Sequence, residues 1–156
     1  MNYTILLPDE EATVRLGGSI AAHLKSGAFI ALRGGLGAGK TVLTRGLARG
    51  LGVRERIASP TFTVMNRYEG DKVLCHFDLY RVTEEDCLQA GFDEYFFDPA
   101  VVCAVEWSER LTQLPPNLLI VELVPTGENT RTAHIKDEGN VLDGILDEKQ
   151  ASACIQ

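Results

Sequence analysis

Residues 34 to 41 read Gly34-Gly35-Leu36-Gly37-Ala38-Gly39-Lys40-Thr41, the spacing G-x-x-x-x-G-K-[ST] that holds phosphate. Glycine at both ends lets successive backbone N–H groups curl around phosphate oxygens where a Cβ would obstruct the approach. Lys40 carries a point charge to the terminal phosphates, which makes it a catalytic candidate, and the Thr41 hydroxyl is placed to reach Mg²⁺. The expected nucleotide-binding residues are therefore Gly35, Leu36, Gly37, Ala38, Gly39, Lys40, Thr41 and, in the first turn beyond, Val42.

Such a loop needs acidic partners. Two apolar runs end in an acid: Val73-Leu74-Cys75-His76-Phe77-Asp78 and Val101-Val102-Cys103-Ala104-Val105-Glu106. Open parallel sheets bind ligands outside the carboxyl ends of their strands, so both acids are expected near the phosphates. Either has the chemistry to hold Mg²⁺, directly or through water. The short Asp78 is assigned to the metal and the longer Glu106 to orienting or deprotonating an attacking water, with the reverse assignment left open. Thr61, on a loop with Ser59 after the phosphate-loop helix, has a hydroxyl placed for the metal or the terminal phosphate. Trp107, the only tryptophan, fits either core filling or a platform for the nucleotide. His76 is read as a structural histidine. Arg81 is read as a surface ion-pair residue, with an internal arginine finger as the sharper alternative.

The elements that must position these groups follow from the pattern of apolar residues. A strand is expected over 3–7 and a helix over 8–25, weakened by Gly17-Gly18. The apolar run 28–32 reads as a buried parallel strand feeding the loop, and Val42, Leu43, Leu47 and Leu51 as a helix stopped by Gly50 and Gly52. Residues 62–69, with Phe62, Val64 and Tyr68 in alternation, form a hairpin with 72–77. A capped helix runs over 83–90 with Gly91 as its stop. A second buried strand spans 101–105, and a closing antiparallel hairpin joins 118–124 to 130–136. The tail after about 139 carries no readable chemistry and is expected to be poorly ordered.

Composition sets the outer limits. At 156 residues and 45% hydrophobic, the chain supports one compact domain over 1–156. Four cysteines without a C-x-x-C pair fit a reducing cytosol. Pro8 and Asp9 break the N-terminal apolar run, so neither a signal peptide nor a membrane span is expected. A net charge of −7 disfavours autonomous binding to a nucleic-acid backbone. The one basic cluster, Arg45, Arg49, Arg54 and Arg56, reads as a solvated face.

Together with the phosphate loop, the blocks Ser59-Pro60-Thr61-Phe62-Thr63, His76-Phe77-Asp78-Leu79-Tyr80-Arg81, Gly91-Phe92-Asp93-Glu94-Tyr95-Phe96 and Glu106-Trp107-Ser108-Glu109 resemble the bacterial TsaE (YjeE) family in order and spacing. The resemblance implies an α/β, three-layer phosphate-loop fold whose central parallel sheet is extended by antiparallel strands. It implies a cytoplasmic ATPase that uses ATP and Mg²⁺ beside TsaB and TsaD in making threonylcarbamoyladenosine at position 37 of tRNA, with tRNA gripped mainly by those partners. It matches Lys40 and Thr41 to the family's phosphate and magnesium positions, Asp78 to its strand-end acid, Glu106 and Trp107 to its acidic-tryptophan pair and Thr61 to its switch-like loop. Gly35 stands where the family commonly carries an acid.

Two other readings compete. A small-molecule or nucleoside kinase would need an arginine-rich lid, and no such segment follows the midpoint. A nucleotide-dependent binding switch would need no turnover, against which the two strand-end acids argue. No N-K-x-D guanine-recognition sequence occurs, which disfavours GTP.

Overall fold

The computed structural model describes residues 1–143. Its elements are β1 (Asn2–Leu7), α1 (Glu10–His23), β2 (Ala28–Arg33), α2 (Lys40–Gly50), β3 (Met65–Tyr68), β4 (Leu74–Asp78), α3 (Glu84–Gln89), α4 (Phe92–Phe96), β5 (Val102–Glu106), β6 (Leu118–Pro125) and β7 (Arg131–Asp137). A seven-stranded sheet runs in the order β1-β7-β6-β2-β5-β4-β3. Its centre is parallel, β6 and β5 flanking β2 and β4 following β5, while β7, β1 and β3 add antiparallel margins. The α/β fold class expected from the sequence is the one observed.

Strand alternation divides the core in two. Ile30, Leu32, Val102, Ala104 and Leu74 face the layer that contains Leu16 and Ile20 of α1 and Leu43 and Leu47 of α2. Phe29, Ala31, Cys75, Phe77, Cys103 and Val105 face the opposite layer, with Cys87 of α3 and Phe96 of α4. On that second face Phe77 meets Phe92 and Phe96 edge-on, with ring centroids 5.1 and 4.8 Å apart. Edge-to-face rings of this kind add about 0.5–1.5 kcal/mol beyond the area they bury.

Asp9 caps α1 by accepting the Ala12 N–H at 2.8 Å, a contact of about 1 kcal/mol. The helix runs through Gly17-Gly18 without a break. Gly17 serves packing: a Cβ there would strike the Leu43 carbonyl, and one on Gly46 of α2 the Val14 carbonyl. Glycine on both helices therefore lets α1 and α2 meet backbone to backbone, fixing the helix that follows the phosphate loop.

One expectation is corrected. The strand expected over 62–69 begins only at Met65. Val64 takes φ 67° and its N–H donates to the Pro60 carbonyl at 2.8 Å, so the chain turns there and leaves Phe62 83% exposed. Alternation of Phe62 and Val64 thus came from a turn. Of the tail after about 139, residues 140–143 are described. Asp137 accepts the N–H groups of Val141 and Leu142 at 2.8 and 3.1 Å, and both side chains are buried. The rest of that tail, with the expectation of poor order and Cys154, lies outside the described residues.

The capped helix expected over 83–90 appears as α3, where Thr83 and Asp86 exchange reciprocal capping bonds. Gly91 ends it and, at φ 76°, also starts α4.

Candidate functional site

Lys40 is the first residue of α2, and the loop before it turns through Gly37 at φ 77° and Gly39 at φ 102°, a region that glycine alone enters freely. The loop joins the carboxyl end of β2 to the amino end of α2, where free N–H groups and the helix dipole favour an anion. Leu32, Glu106 and Asp78 are register neighbours across β2, β5 and β4. They share the sheet face turned toward α1 and α2, so both acids end up beside the phosphate loop.

Despite that shared register, their surroundings differ. Glu106 is buried; its Oε1 lies 3.4 Å from Lys40 Nζ, and its Oε2 lies 3.0 Å from Nε2 of the fully buried His76. Lys40 Nζ also donates to the Gly34 carbonyl at 2.8 Å. Burial pushes the Glu106 carboxyl up, but the hydrogen bond and electrostatic pull of His76, with Lys40 behind them, outweigh burial and hold it below its ordinary value. It is therefore an anion at neutral pH. Asp78 is only half-buried, and its Oδ1 accepts the Tyr80 N–H at 3.1 Å. Its own N–H donates to the Val64 carbonyl at 2.8 Å, which fastens the 61–64 turn to the end of β4.

These groups surround a cleft of about 770 Å³, within the range of small-molecule and cofactor pockets. Every residue expected to bind nucleotide or metal lines it except Gly35. Gly35 instead uses its carbonyl to accept the Ala38 N–H at 3.1 Å. Thr61 reaches the cleft with Ser59, the two hydroxyls 2.7 Å apart. Trp107, at φ 62° and 42% exposed, is not core filling. Its ring meets that of Tyr80 at 5.0 Å between centroids, both at the cleft. Arg81 does not line the cleft; its guanidinium lies over Phe62, 5.1 Å from the ring centroid.

Four contributors escaped the sequence analysis, among them Tyr80, whose ring meets that of Trp107 at the cleft. His76 carried a usable signal: it stands two residues before Asp78, so strand alternation puts it on the same face. Glu10 and Arg131 also line the cleft. They come from the start of α1 and the start of β7, and no local pattern ties either one to the phosphate loop.

The donors present fit a Mg-nucleotide. The loop and Lys40 supply the cation and N–H groups that phosphates need, and Thr41 and Asp78 supply hard oxygen ligands suited to Mg²⁺. A phosphate loop between a parallel strand and a helix, faced by two strand-end acids, defines the phosphate-loop class of nucleotide-binding folds.

Comparison with known proteins narrows that class. The profile of the family described as "Threonylcarbamoyl adenosine biosynthesis protein TsaE" matches residues 7–133. A Nostoc protein named tRNA threonylcarbamoyladenosine biosynthesis protein TsaE is 42% identical over 136 residues, covering 84% of this chain and 83% of its own. The Bacillus subtilis protein of the same name is 37% identical over 140 residues, covering 88% and 87%. A crystal structure of Bacillus subtilis YdiB superposes with a TM-score of 0.75 at 31% identity, covering 99% of this chain and 94% of that one. The chain belongs to the TsaE family.

Proposed function

We propose that this chain is an ATPase, working as one domain, that binds and hydrolyses Mg-ATP in support of a TsaB-TsaD complex during threonylcarbamoylation of adenosine 37 of tRNA. Family membership supports the pathway, since the relatives' names place them in the biosynthesis of this tRNA nucleoside. The observation that carries the hydrolytic part is the register pair Asp78 and Glu106 on adjacent strands, with Glu106 Oε1 3.4 Å from Lys40.

In this reading the loop N–H groups and Lys40 hold the β and γ phosphates, and Thr41 and Asp78 hold the metal. When bound, Mg²⁺ would neutralise charge on the terminal phosphates. Glu106, kept ionised by His76 and Lys40, accepts a hydrogen bond from the attacking water. A carboxylate held below its ordinary pKa is a weak base, so its main work is orientation. Leu36, Tyr80 and Trp107 line the cleft yet stay exposed, which suits a site completed by a partner. The net charge of −7 fits a division of labour in which the partners grip the tRNA in the cytoplasm.

The test is ATP hydrolysis by the parent, Lys40→Ala and Glu106→Gln, each alone and with purified TsaB-TsaD and tRNA. Partner-stimulated turnover lost in both variants is the expected result. Turnover indifferent to the partners would favour a kinase-like enzyme, and tight ATP binding without turnover under any condition would favour a binding switch.

A further inference from the structure

Two peptide planes of the phosphate loop adjoin glycines in the left-handed region, Gly37 and Gly39. Planes so placed flip readily, because no Cβ resists the change. One side chain holds both of them. Arg131, the first residue of β7, donates from Nη2 to the Gly37 carbonyl at 2.9 Å and from Nε to the Ala38 carbonyl at 3.0 Å. Its Nη1 donates to the Thr130 carbonyl at 2.8 Å, to Gly127 at 3.2 Å and to Glu128 at 3.4 Å, in the turn between β6 and β7. The planar fork of a guanidinium makes such divergent donation possible, whereas an ammonium on a flexible stem has no fixed fork.

We propose that Arg131 is a positioning residue for nucleotide binding, acting through the backbone of the phosphate loop. The inference rests on the nucleotide-binding reading above. A trans peptide carries its C=O and N–H on opposite sides. Holding the Ala38 carbonyl toward Arg131 therefore aims the Gly39 N–H the other way, toward the phosphates. Holding the Gly37 carbonyl likewise fixes the Ala38 N–H, which closes the loop onto the Gly35 carbonyl at 3.1 Å. The turn after β6 thereby becomes a brace for the loop after β2, although the two lie far apart in sequence. Because the loop N–H groups would grip phosphates common to ADP and ATP, loss of the brace weakens both alike.

The experiment is calorimetric binding of ADP and of ATP to the parent, Arg131→Met, Arg131→Lys and Lys40→Ala, with thermal unfolding measured alongside. Arg131→Met is expected to weaken both nucleotides by the same factor, about tenfold, as for the loss of one to two hydrogen bonds, while its unfolding midpoint stays close to the parent's. Arg131→Lys keeps the charge but lacks the fork, and is expected to show a shared loss of about threefold or more. Parent-like affinity in Arg131→Lys would overturn the proposal, as would a loss confined to ATP, which would mark a direct contact with the terminal phosphate. Should Arg131→Met fail to fold, the lysine variant decides by the same criteria. If the Arg131 variants bind like the parent and Lys40→Ala does not, the brace alone is wrong; if Lys40→Ala also binds like the parent, the nucleotide-binding reading fails with it.

Discussion

The parallel centre of the sheet and its antiparallel wing of β7 and β1 use their two faces differently. In the centre, β2, β4 and β5 are buried on both sides, by α1 and α2 above and by α3 and α4 below. In the wing, Ile5, Leu7, Ala133 and Ile135 are buried on one face, while Leu6, His134 and Lys136 lie exposed on the other. The groups assigned to chemistry follow this division. Asp78 and Glu106 end strands of the centre, where packing on both faces fixes their direction, and His76 lies within one of them. From the wing a single side chain, Arg131, reaches the cleft, and it binds only backbone carbonyls among its hydrogen bonds. Precision of placement tracks burial on two faces.

Substitutions at the centre should therefore cost much and those on the outer face of the wing little. The largest effect is expected for Gly46→Val. Backbone contact between α1 and α2 leaves no room for a side chain there, so the helices must separate, at a cost of about 3 kcal/mol or more. Urea unfolding measures it, and a loss below about 1 kcal/mol would mean the interface is loose.

Next comes Glu106→Gln, expected to lower single-turnover hydrolysis about 100-fold while ATP binds at least as tightly, since a negative charge leaves the phosphate site. A matching loss of affinity would instead make Glu106 a binding group.

A smaller effect concerns the thiols, which belong to the centre: Cys75 in β4, Cys103 in β5 and Cys87 in α3 are all buried. Burial pushes the Cys75 thiol from 9.0 up to about 11. Between those values the unfolded chain has released this proton and the folded chain has not, so the contribution is complete below pH 9 and is lost as pH rises toward 11. Unfolding midpoints across that window should fall less steeply for Cys75→Ala than for the parent. Parallel slopes would remove Cys75 from the explanation. The smallest effect is expected for Leu6→Thr on the open face of the wing, within about 0.5 kcal/mol in stability and without effect on turnover; a larger loss would show that this face is covered in solution.

The same contrast explains what the sequence disclosed. The phosphate loop is legible because its chemistry is local, each residue type being required by its own backbone or its own ligand. Asp78 and Glu106 are legible because an apolar run ending in an acid marks the carboxyl end of a buried strand. Period-two reasoning failed at Val64, whose positive φ breaks the strand that Phe62 and Tyr68 imitate. Helix propensity misled at Gly17-Gly18, since glycine weakens an isolated helix yet here Gly17 lets α1 meet the backbone of α2. α4 was hidden by its length of five residues, too short for a periodic signal. Arg131 was out of reach because its partners lie 93 and 94 residues away, and only the sheet order brings them together.

The most direct test of the central claim, that two registered acids divide the work, is single-turnover ATP hydrolysis by Asp78→Asn and Glu106→Gln over a wide range of Mg²⁺ concentration, with TsaB-TsaD and tRNA present. High Mg²⁺ should restore much of the rate to Asp78→Asn, whose defect lies in holding the metal, and none to Glu106→Gln, whose defect lies in handling water. Rescue of Glu106→Gln, with Asp78→Asn inert at every concentration, would reverse the assignment and contradict the account.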